Sequence, residues 1–224
     1  MPNPKKSSKI PFLLAALIFL VLALIFFVLF IFYAYSGNYT DSSNNTVTYS
    51  GQTYKTVQIG EQTWMAENLN YDAEGSICYE NNPANCTKYG RLYNWETAKK
   101  VCPEGWHLPN IREWDKLFRF VEIDTDSYNP DKISIAGEYL KAKNNWKFEE
   151  DGPGTDDYGF SALPGGYGDP DGSFVGVGYY GHWWTSTDGE SSRAYYKSIY
   201  YGLGDARWHS GDKSYLSSVR CVQD

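Results

Sequence analysis

The feature that most constrains this chain is an apolar run, Phe12–Phe32, that contains no charged or polar residue. Folded as a helix, its 21 residues would be roughly 31 Å long, which is enough to cross a bilayer core of about 30 Å. The apolar region of a cleaved secretory signal is usually shorter, at about 7–15 residues. The run therefore predicts a transmembrane signal anchor over residues 11–35, and cleavage near Ala34 is the alternative.

The charges that flank the run predict its orientation. Lys5, Lys6 and Lys9 precede it, and no acidic residue does. Positively charged flanks stay on the cytoplasmic side of a membrane. We therefore expect a cytoplasmic N-terminus over residues 1–10, a single membrane span, and an extracytoplasmic domain in the periplasm or at the cell surface.

The remainder of the chain is acidic. Without those three lysines it has 17 basic and 27 acidic residues, which gives a net charge of −10. A surface of this sign repels the phosphates of nucleic acid and is typical of a domain that stays dispersed in solution. Nucleic acid is therefore excluded as a predicted partner.

Cysteine usage agrees with export. All four cysteines follow the apolar run, at Cys78, Cys86, Cys102 and Cys221. An even number of cysteines in an oxidising compartment favours two disulfide bonds over free thiols.

The chain after the apolar run is predicted to form a short spacer and one domain. Residues 36–46 are small and polar, as in a flexible linker, and the domain is expected over residues 47–224. A hairpin is predicted around Gly60, where two β-prone runs meet.

Two helices and many short strands are predicted inside this domain. Apolar residues recur at helical spacing in Leu92–Val101 and in the segment that follows the N-cap Asn110, where Glu113 completes a capping box. Beyond Tyr128, glycine and proline interrupt the chain every few residues, which favours short strands and long loops. Helices early, strands late and no regular alternation of the two indicate an α+β domain.

Four segments carry a family resemblance. They are "GQTYKTVQIGEQTWMAENLNY" (51–71), "YGRLYNWETAKKVCPEGWHLPNIREWDKL" (89–117), "DDYGFSALPGGY" (156–167) and "SVRCV" (218–222). Together they resemble the Fibrobacter succinogenes major paralogous domain from about Val47 onward. The resemblance implies a secreted or surface-anchored bacterial protein, and it implies a fold and a location more than an activity.

A more distant resemblance implies an architecture and a disulfide pairing. The series "GWHLP", "EW", "WWTST" and "VRCV" is similar to the pattern of C-type-lectin-like and formylglycine-generating-enzyme-like domains. That resemblance implies a C-type-lectin-like domain with two helices, small antiparallel sheets and long loops, preceded here by the one transmembrane helix. It also implies that Cys102 pairs with Cys221, which leaves Cys78 and Cys86 to close a local loop.

No catalytic residue is predicted. The chain has no G-x-S-x-G nucleophile elbow, and no pair of its 27 acidic residues is marked out as a glycosidase pair. The oxidase chemistry of formylglycine-generating enzymes needs a free cysteine pair, which the expected disulfides would remove. We therefore expect a domain that is not an enzyme and needs no cofactor.

No metal site is predicted either. The three histidines, His107, His182 and His209, are not spaced for a shared helical site, and a two-histidine site of His182 with His209 is the minor alternative. His107 is expected to be a packed or turn residue. The acidic loops at 149–157 and 168–173 resemble fragments of calcium loops, but turn chemistry is the favoured interpretation.

The C-terminal half is unusually aromatic. Fourteen aromatic residues lie between Tyr158 and Tyr215, many as adjacent pairs. Neighbours on a strand point to opposite faces, so one member of each pair is expected in the core and the other on an exposed patch. The predicted ligand-binding residues are Tyr180, His182, Trp184, Tyr196, Tyr200, Arg207, Trp208 and His209.

These features predict a surface-anchored binding or adhesion module. Flat aromatic faces suit carbohydrate rings or peptides, so a polysaccharide is the first expected ligand. The alternative is a structural component of the cell envelope, in which the aromatic face docks another envelope protein. An enzyme is the third possibility.

Overall fold

The computed structural model describes residues 20–27, 45–125, 134–147, 154–202, 204 and 206–224. The chain divides into two compact units, Met1–Ser43 and Asn44–Asp224. All the labelled strands and helices below belong to the second unit.

The expected transmembrane helix is not supported. Residues 20–27, the part of the expected anchor that the structure describes, are helical. No helix among the described residues is both long and apolar enough to cross a membrane. The predicted fold class is therefore wrong in placing such a helix before the domain. Residues 11–19 and 28–35 of the expected anchor, like residues 1–10 and 36–44, lie outside the described residues.

Short strands dominate the domain. The described residues contain twelve β-strands: β1 (Thr46–Tyr49), β2 (Gln52–Ile59), β3 (Gln62–Met65), β4 (Ser76–Ile77), β5 (Leu92–Tyr93), β6 (Trp106–His107), β7 (Tyr167–Gly168), β8 (Phe174–Val175), β9 (Tyr180–Asp188), β10 (Arg193–Tyr200), β11 (Ala206–Asp212) and β12 (Val222–Gln223). They form an antiparallel five-stranded sheet in the order β1-β2-β3-β12-β6, an antiparallel three-stranded sheet in the order β11-β10-β9, and the pairs β4-β5 and β7-β8. The predicted hairpin is confirmed, because Gly60 and Glu61 alone join β2 to β3.

The helices are more numerous than predicted. The domain contains α1 (Pro83–Tyr89), α2 (Trp95–Ala98), α3 (Ile111–Asp124) and α4 (Ala136–Leu140) among its described residues, with a 3₁₀ turn at Tyr79–Asn81. The two-helix count is therefore wrong, and the domain is a small sheet-rich one.

Helix α3 begins as the sequence predicted. The Asn110 side chain accepts from the backbone N–H of Glu113, and the Glu113 carboxylate accepts from the backbone N–H of Asn110. This reciprocal pair satisfies two donors that a helix start leaves open. Its apolar face, which includes Trp114, Leu117 and Val121, is buried.

The other predicted helix, Leu92–Val101, is only partly correct. Leu92 and Tyr93 form strand β5 and pair with β4. The helix begins only after Asn94, whose side chain accepts from the backbone N–H of Thr97. Leu92 and Tyr93 are therefore in a strand although their spacing fits a helix, because helical preference is weak compared with tertiary contacts.

Strand β9 of the three-stranded sheet lies between two parts of the core. Trp183, on β9, packs with Trp114 of α3 and with Ile199 of β10. Its neighbour Trp184 packs on the other side with Tyr93 and Cys221. Strand β9 is therefore covered on both faces.

A buried polar cluster connects three of the motifs that carry the family resemblance. The Asn68 Oδ1 atom accepts from Trp183 Nε1 at 2.8 Å and from Arg220 Nη2 at 2.8 Å. The Asn68 amide also donates to the Tyr89 carbonyl at 2.9 Å. Arg220 is fully buried; its Nε also donates to Asn68 Oδ1 at 3.3 Å, and its other N–H groups donate to backbone carbonyls, including that of Met65. These motifs therefore build the core.

Both predicted disulfide bonds are confirmed. Cys78 pairs with Cys86 across eight residues, and Cys102 pairs with Cys221 across 119 residues. The first closes a loop that contains the start of α1. The second ties the segment before β6 to the segment before β12. Two disulfides indicate an oxidising, extracytoplasmic location.

Candidate functional site

The predicted ligand-binding residues lie on two faces of the three-stranded sheet. The β10 register places Tyr196 opposite both Trp184 and His209, and Ser198 opposite both His182 and Arg207. One face of the sheet therefore carries seven of the eight predicted residues, namely Tyr180, His182, Trp184, Tyr196, Tyr200, Arg207 and His209. Trp208 lies on the opposite face, towards α3, where its Nε1 donates to the Asp115 carboxylate at 2.9 Å.

Trp184 is wrongly predicted as a contact residue. Its ring is completely buried, and its Nε1 donates to the Tyr93 carbonyl at 2.8 Å. Trp183 is also completely buried. The prediction that one tryptophan of this pair faces outward is therefore wrong, because separate parts of the core cover both sides of β9.

Beside these buried rings lies a partly exposed aromatic surface, which we call the tyrosine face. It consists of Tyr167, Tyr180, His182, Tyr196, Tyr200, His209 and Tyr215. All are partly exposed except His182, which is buried beneath the others.

Ring stacking makes the tyrosine face continuous. Tyr167 stacks on His182 with ring centroids 4.6 Å apart. Tyr196 lies between the two histidines, at 4.9 Å from His182 and 5.4 Å from His209. Tyr180 meets Tyr200 edge to face at 5.1 Å. Such stacking holds each ring in one orientation.

Two members of the tyrosine face, Tyr167 and Tyr215, were missed by sequence reasoning. Each lies outside the three-stranded sheet, so strand alternation gave no signal for it. For Tyr215, a glycine in the sequence is a partial indication of its position. A Cβ atom at Gly211 would lie 3.0 Å from the Tyr215 ring and 3.1 Å from the Tyr196 ring. Gly211 therefore leaves space for Tyr215 to lie close against β11.

The hydroxyls of the tyrosine face differ from those of other tyrosines in the domain. The Tyr93 hydroxyl donates to the Tyr71 carbonyl at 2.8 Å, and the Tyr158 hydroxyl donates to Asp124 at 2.6 Å. Within the described part of the chain, none of the five tyrosine hydroxyls of this face makes a hydrogen bond. These polar groups are available to a ligand.

Burial keeps the histidines of this face neutral. It lowers the pKa of His182 to about 3, and the neighbouring His209 adds to that effect. Burial also lowers the pKa of His209, with a smaller contribution from Arg207. Two buried atoms here, His209 Nε2 and Ser198 Oγ, have no hydrogen-bond partner among the described residues. The face therefore offers neutral donors and acceptors.

His182 and His209 are the pair that the sequence offered as the minor alternative for a metal site. Both lie on the same face, as that alternative required, but no group of three or more His, Cys, Asp or Glu residues able to hold a metal occurs among the described residues. His107 lies elsewhere, between the carboxylates of Asp224 at 2.6 Å and Glu113 at 2.8 Å. It links β6 to α3 and to the segment after β12.

A cleft of about 680 Å³ lies next to the tyrosine face. Ser214 and Leu216, the chain neighbours of Tyr215, line it together with Asp169, Asp212 and Glu96. The acidic loop at 168–173 forms one wall and uses its side chains for turn contacts. For example, Asp171 accepts from the backbone N–H of Ser173 at 2.9 Å. This contact agrees with the turn-chemistry interpretation of that loop.

Comparison with known proteins identifies the family. The Fibrobacter succinogenes major domain matches residues 57–223, and the chain therefore belongs to this family. No curated protein matches the chain, and no solved structure matches it. The expected similarity to C-type-lectin-like and formylglycine-generating-enzyme-like domains is therefore not confirmed.

Proposed function

We propose that this exported domain is a non-catalytic binding module that holds a polysaccharide against the tyrosine face. The observation that carries the proposal is the set of five partly exposed tyrosines whose hydroxyls make no hydrogen bond within the described residues. Such a surface combines flat apolar rings with polar edges. A sugar ring likewise has apolar C–H faces and polar hydroxyl edges.

A sugar ring and an aromatic ring have complementary faces. The C–H groups of a sugar ring pack against an aromatic ring, while its hydroxyls need hydrogen-bond partners at the rim. Tyr180 and Tyr200 lie edge to face, and Tyr167 adds a ring held flat by His182. Because the tyrosine rings are already held by stacking, little side-chain freedom is lost when a ligand binds.

The test removes hydroxyls without removing rings. A glycan array, followed by pull-down on insoluble cellulose and chitin, would compare the parent with the double variant Tyr180→Phe/Tyr200→Phe. We expect the variant to fold normally and to bind about 5- to 150-fold more weakly, since each of the two lost hydrogen bonds contributes about 0.5–1.5 kcal/mol. Tyr195→Phe is the matched control, because Tyr195 is exposed on the opposite face. Equal binding by parent and double variant would contradict the proposal.

Docking of another envelope protein is the second candidate. Its supporting observation is an exposed apolar pair on α3, where Phe120 is 39% and Ile123 is 58% exposed. The same pull-down separates the two functions. Retention of a monomer on polysaccharide favours the first, whereas a stable co-purifying protein that is lost on Ile123→Asp substitution favours the second.

A further inference from the structure

A second cavity, on the opposite face of the three-stranded sheet, contains a buried lysine. The cavity has a volume of about 450 Å³ and lies between α3 and strands β10 and β11. Lys197 enters it from the central strand, with only 3% of its surface exposed. A buried lysine is rare in proteins unless its charge is paired.

The ammonium group of Lys197 is held by aromatic rings. Its Nζ atom lies 4.1 Å from the centroid of Phe118 and 4.2 Å from that of Trp208. Within the described part of the chain, Nζ makes neither a hydrogen bond nor an ion pair. Two ring faces therefore contact the group, and the cavity lies beside it.

The charged groups around this cavity come from two elements. Asp115, Arg119 and Glu122 line it from α3, and Arg207 lines it from β11. Burial lowers the pKa of Lys197 to about 8, and the opposing effect of Asp115 and Glu122 is smaller. Near neutral pH, about one Lys197 amine in ten is therefore unprotonated, compared with fewer than about one in a thousand for an ordinary lysine.

Lys141 provides a contrast within the same molecule. It is buried to a similar degree, at 4% exposed, but its Nζ donates to the carbonyls of Tyr200 and Tyr201 at 3.2 Å each. Its lone pair is therefore not presented to a cavity. Burial is common to both lysines, whereas an unbonded amine beside open space distinguishes Lys197.

We propose that Lys197 is a nucleophilic amine that binds a small aldehyde or ketone in this cavity as an imine. The unprotonated nitrogen adds to the carbonyl carbon, and a proton passes from nitrogen to oxygen to give a carbinolamine. Loss of one water molecule then leaves the C=N bond, with no change in oxidation state. Desolvated lysines in apolar surroundings form such imines readily.

The cavity also favours a particular shape of ligand. A volume of about 450 Å³ is within the range of about 300–1,000 Å³ that is typical of small-molecule sites. Phe118 and Trp208 flank the amine, so a flat carbonyl compound would stack on a ring as it reacts. The proposed site is independent of the tyrosine face, because Lys197 and Tyr196 lie on opposite faces of β10.

The test is site-resolved trapping on the purified full-length protein. Pyridoxal, a flat aromatic aldehyde, would be added at pH 7, the imine reduced with borohydride, and the labelled lysines quantified by peptide mass spectrometry. We expect Lys197 to react at least about tenfold faster than the exposed Lys100, and we expect Lys141 to react more slowly than either. Lys197→Met identifies the labelled peptide, and protein unfolded in urea gives the intrinsic rate at each position.

Each outcome decides the proposal. Preferential labelling of Lys197 that disappears on unfolding supports it. Labelling of Lys197 at or below the rate of Lys100 overturns it. Equal labelling of Lys197 and Lys141 also overturns it, because burial alone would then explain the reactivity and the cavity would not be needed.

Discussion

Replacing Asn68 with alanine is the most informative perturbation of the core. The substitution removes the acceptor for Trp183 Nε1, one acceptor for Arg220, and the donor to the Tyr89 carbonyl. Arg220 keeps its backbone carbonyl partners, such as Met65. The Trp183 N–H and the Tyr89 carbonyl lose the partners described above and stay inside the protein.

The magnitude follows from these two groups. A buried polar group left without a partner costs about 1–3 kcal/mol, and weaker contacts to the Arg220 charge add to this. We therefore expect Asn68→Ala to lower the free energy of unfolding by about 3–5 kcal/mol, a large part of the 5–15 kcal/mol that is typical of a domain. For a domain of this length, the melting temperature should fall by roughly 6–20 °C.

Asn70→Ala is the matched control. It removes the same amide two residues away, but the Asn70 Oδ1 atom is buried without a hydrogen-bond partner among the described residues. We therefore expect a change of less than about 0.5 kcal/mol, or a slight gain. Urea unfolding in oxidising buffer, followed by tryptophan fluorescence, measures both variants. Equal losses, or a loss below about 1 kcal/mol for Asn68→Ala, would refute the reasoning.

Three further predictions concern the disulfides, pH and the core tyrosines. By the chain-entropy estimate, Cys102→Ala should cost about 5 kcal/mol and Cys78→Ala about 2.5 kcal/mol, and urea unfolding that ranks them in the reverse order would contradict this. His182 has a folded-state pKa of about 3, below its ordinary value, so its contribution to stability is present above about pH 6.5 and is lost as the pH falls towards 3. The loss should approach 1.4 kcal/mol per pH unit, and unfolding curves of His182→Gln should show a shallower pH slope than the parent. Tyr93→Phe should destabilise by about 1–3 kcal/mol, because it leaves the Tyr71 carbonyl without that donor, whereas Tyr200→Phe should leave the melting temperature unchanged.

Local signals in the sequence predicted local structure well. The capping box at Asn110 and Glu113 and the turn at Gly60 depend on residues within a few positions of each other, and both are confirmed. The disulfide pairs are confirmed too, but Cys102 with Cys221 came from the family resemblance, because no local pattern specifies a bond across 119 residues.

The predictions that failed concerned which parts of the fold pack over each face of the three-stranded sheet. Alternation correctly separated Trp183 from Trp184, but it could not show that both sides of β9 are covered by core. Trp208 was grouped with residues of the opposite face because strand β11 was not predicted, so alternation was not applied to it. Tyr167 lies on β7, outside the three-stranded sheet, and reaches the tyrosine face by stacking on His182. Such long-range packing leaves no period in the sequence.

The position of β12 has a consequence for how the domain matures during export. Val222 pairs with Trp64 on one side and with His107 on the other, so the five-stranded sheet is complete only when these distant residues meet. When a chain crosses a membrane from its N-terminus, Trp64 and His107 reach the far side long before Val222 does. Until then the edges of β3 and β6 that β12 will cover are open, and open strand edges are prone to pair with other chains. The incomplete domain is therefore exposed to mispairing, and its folding rate should be limited by this late closure.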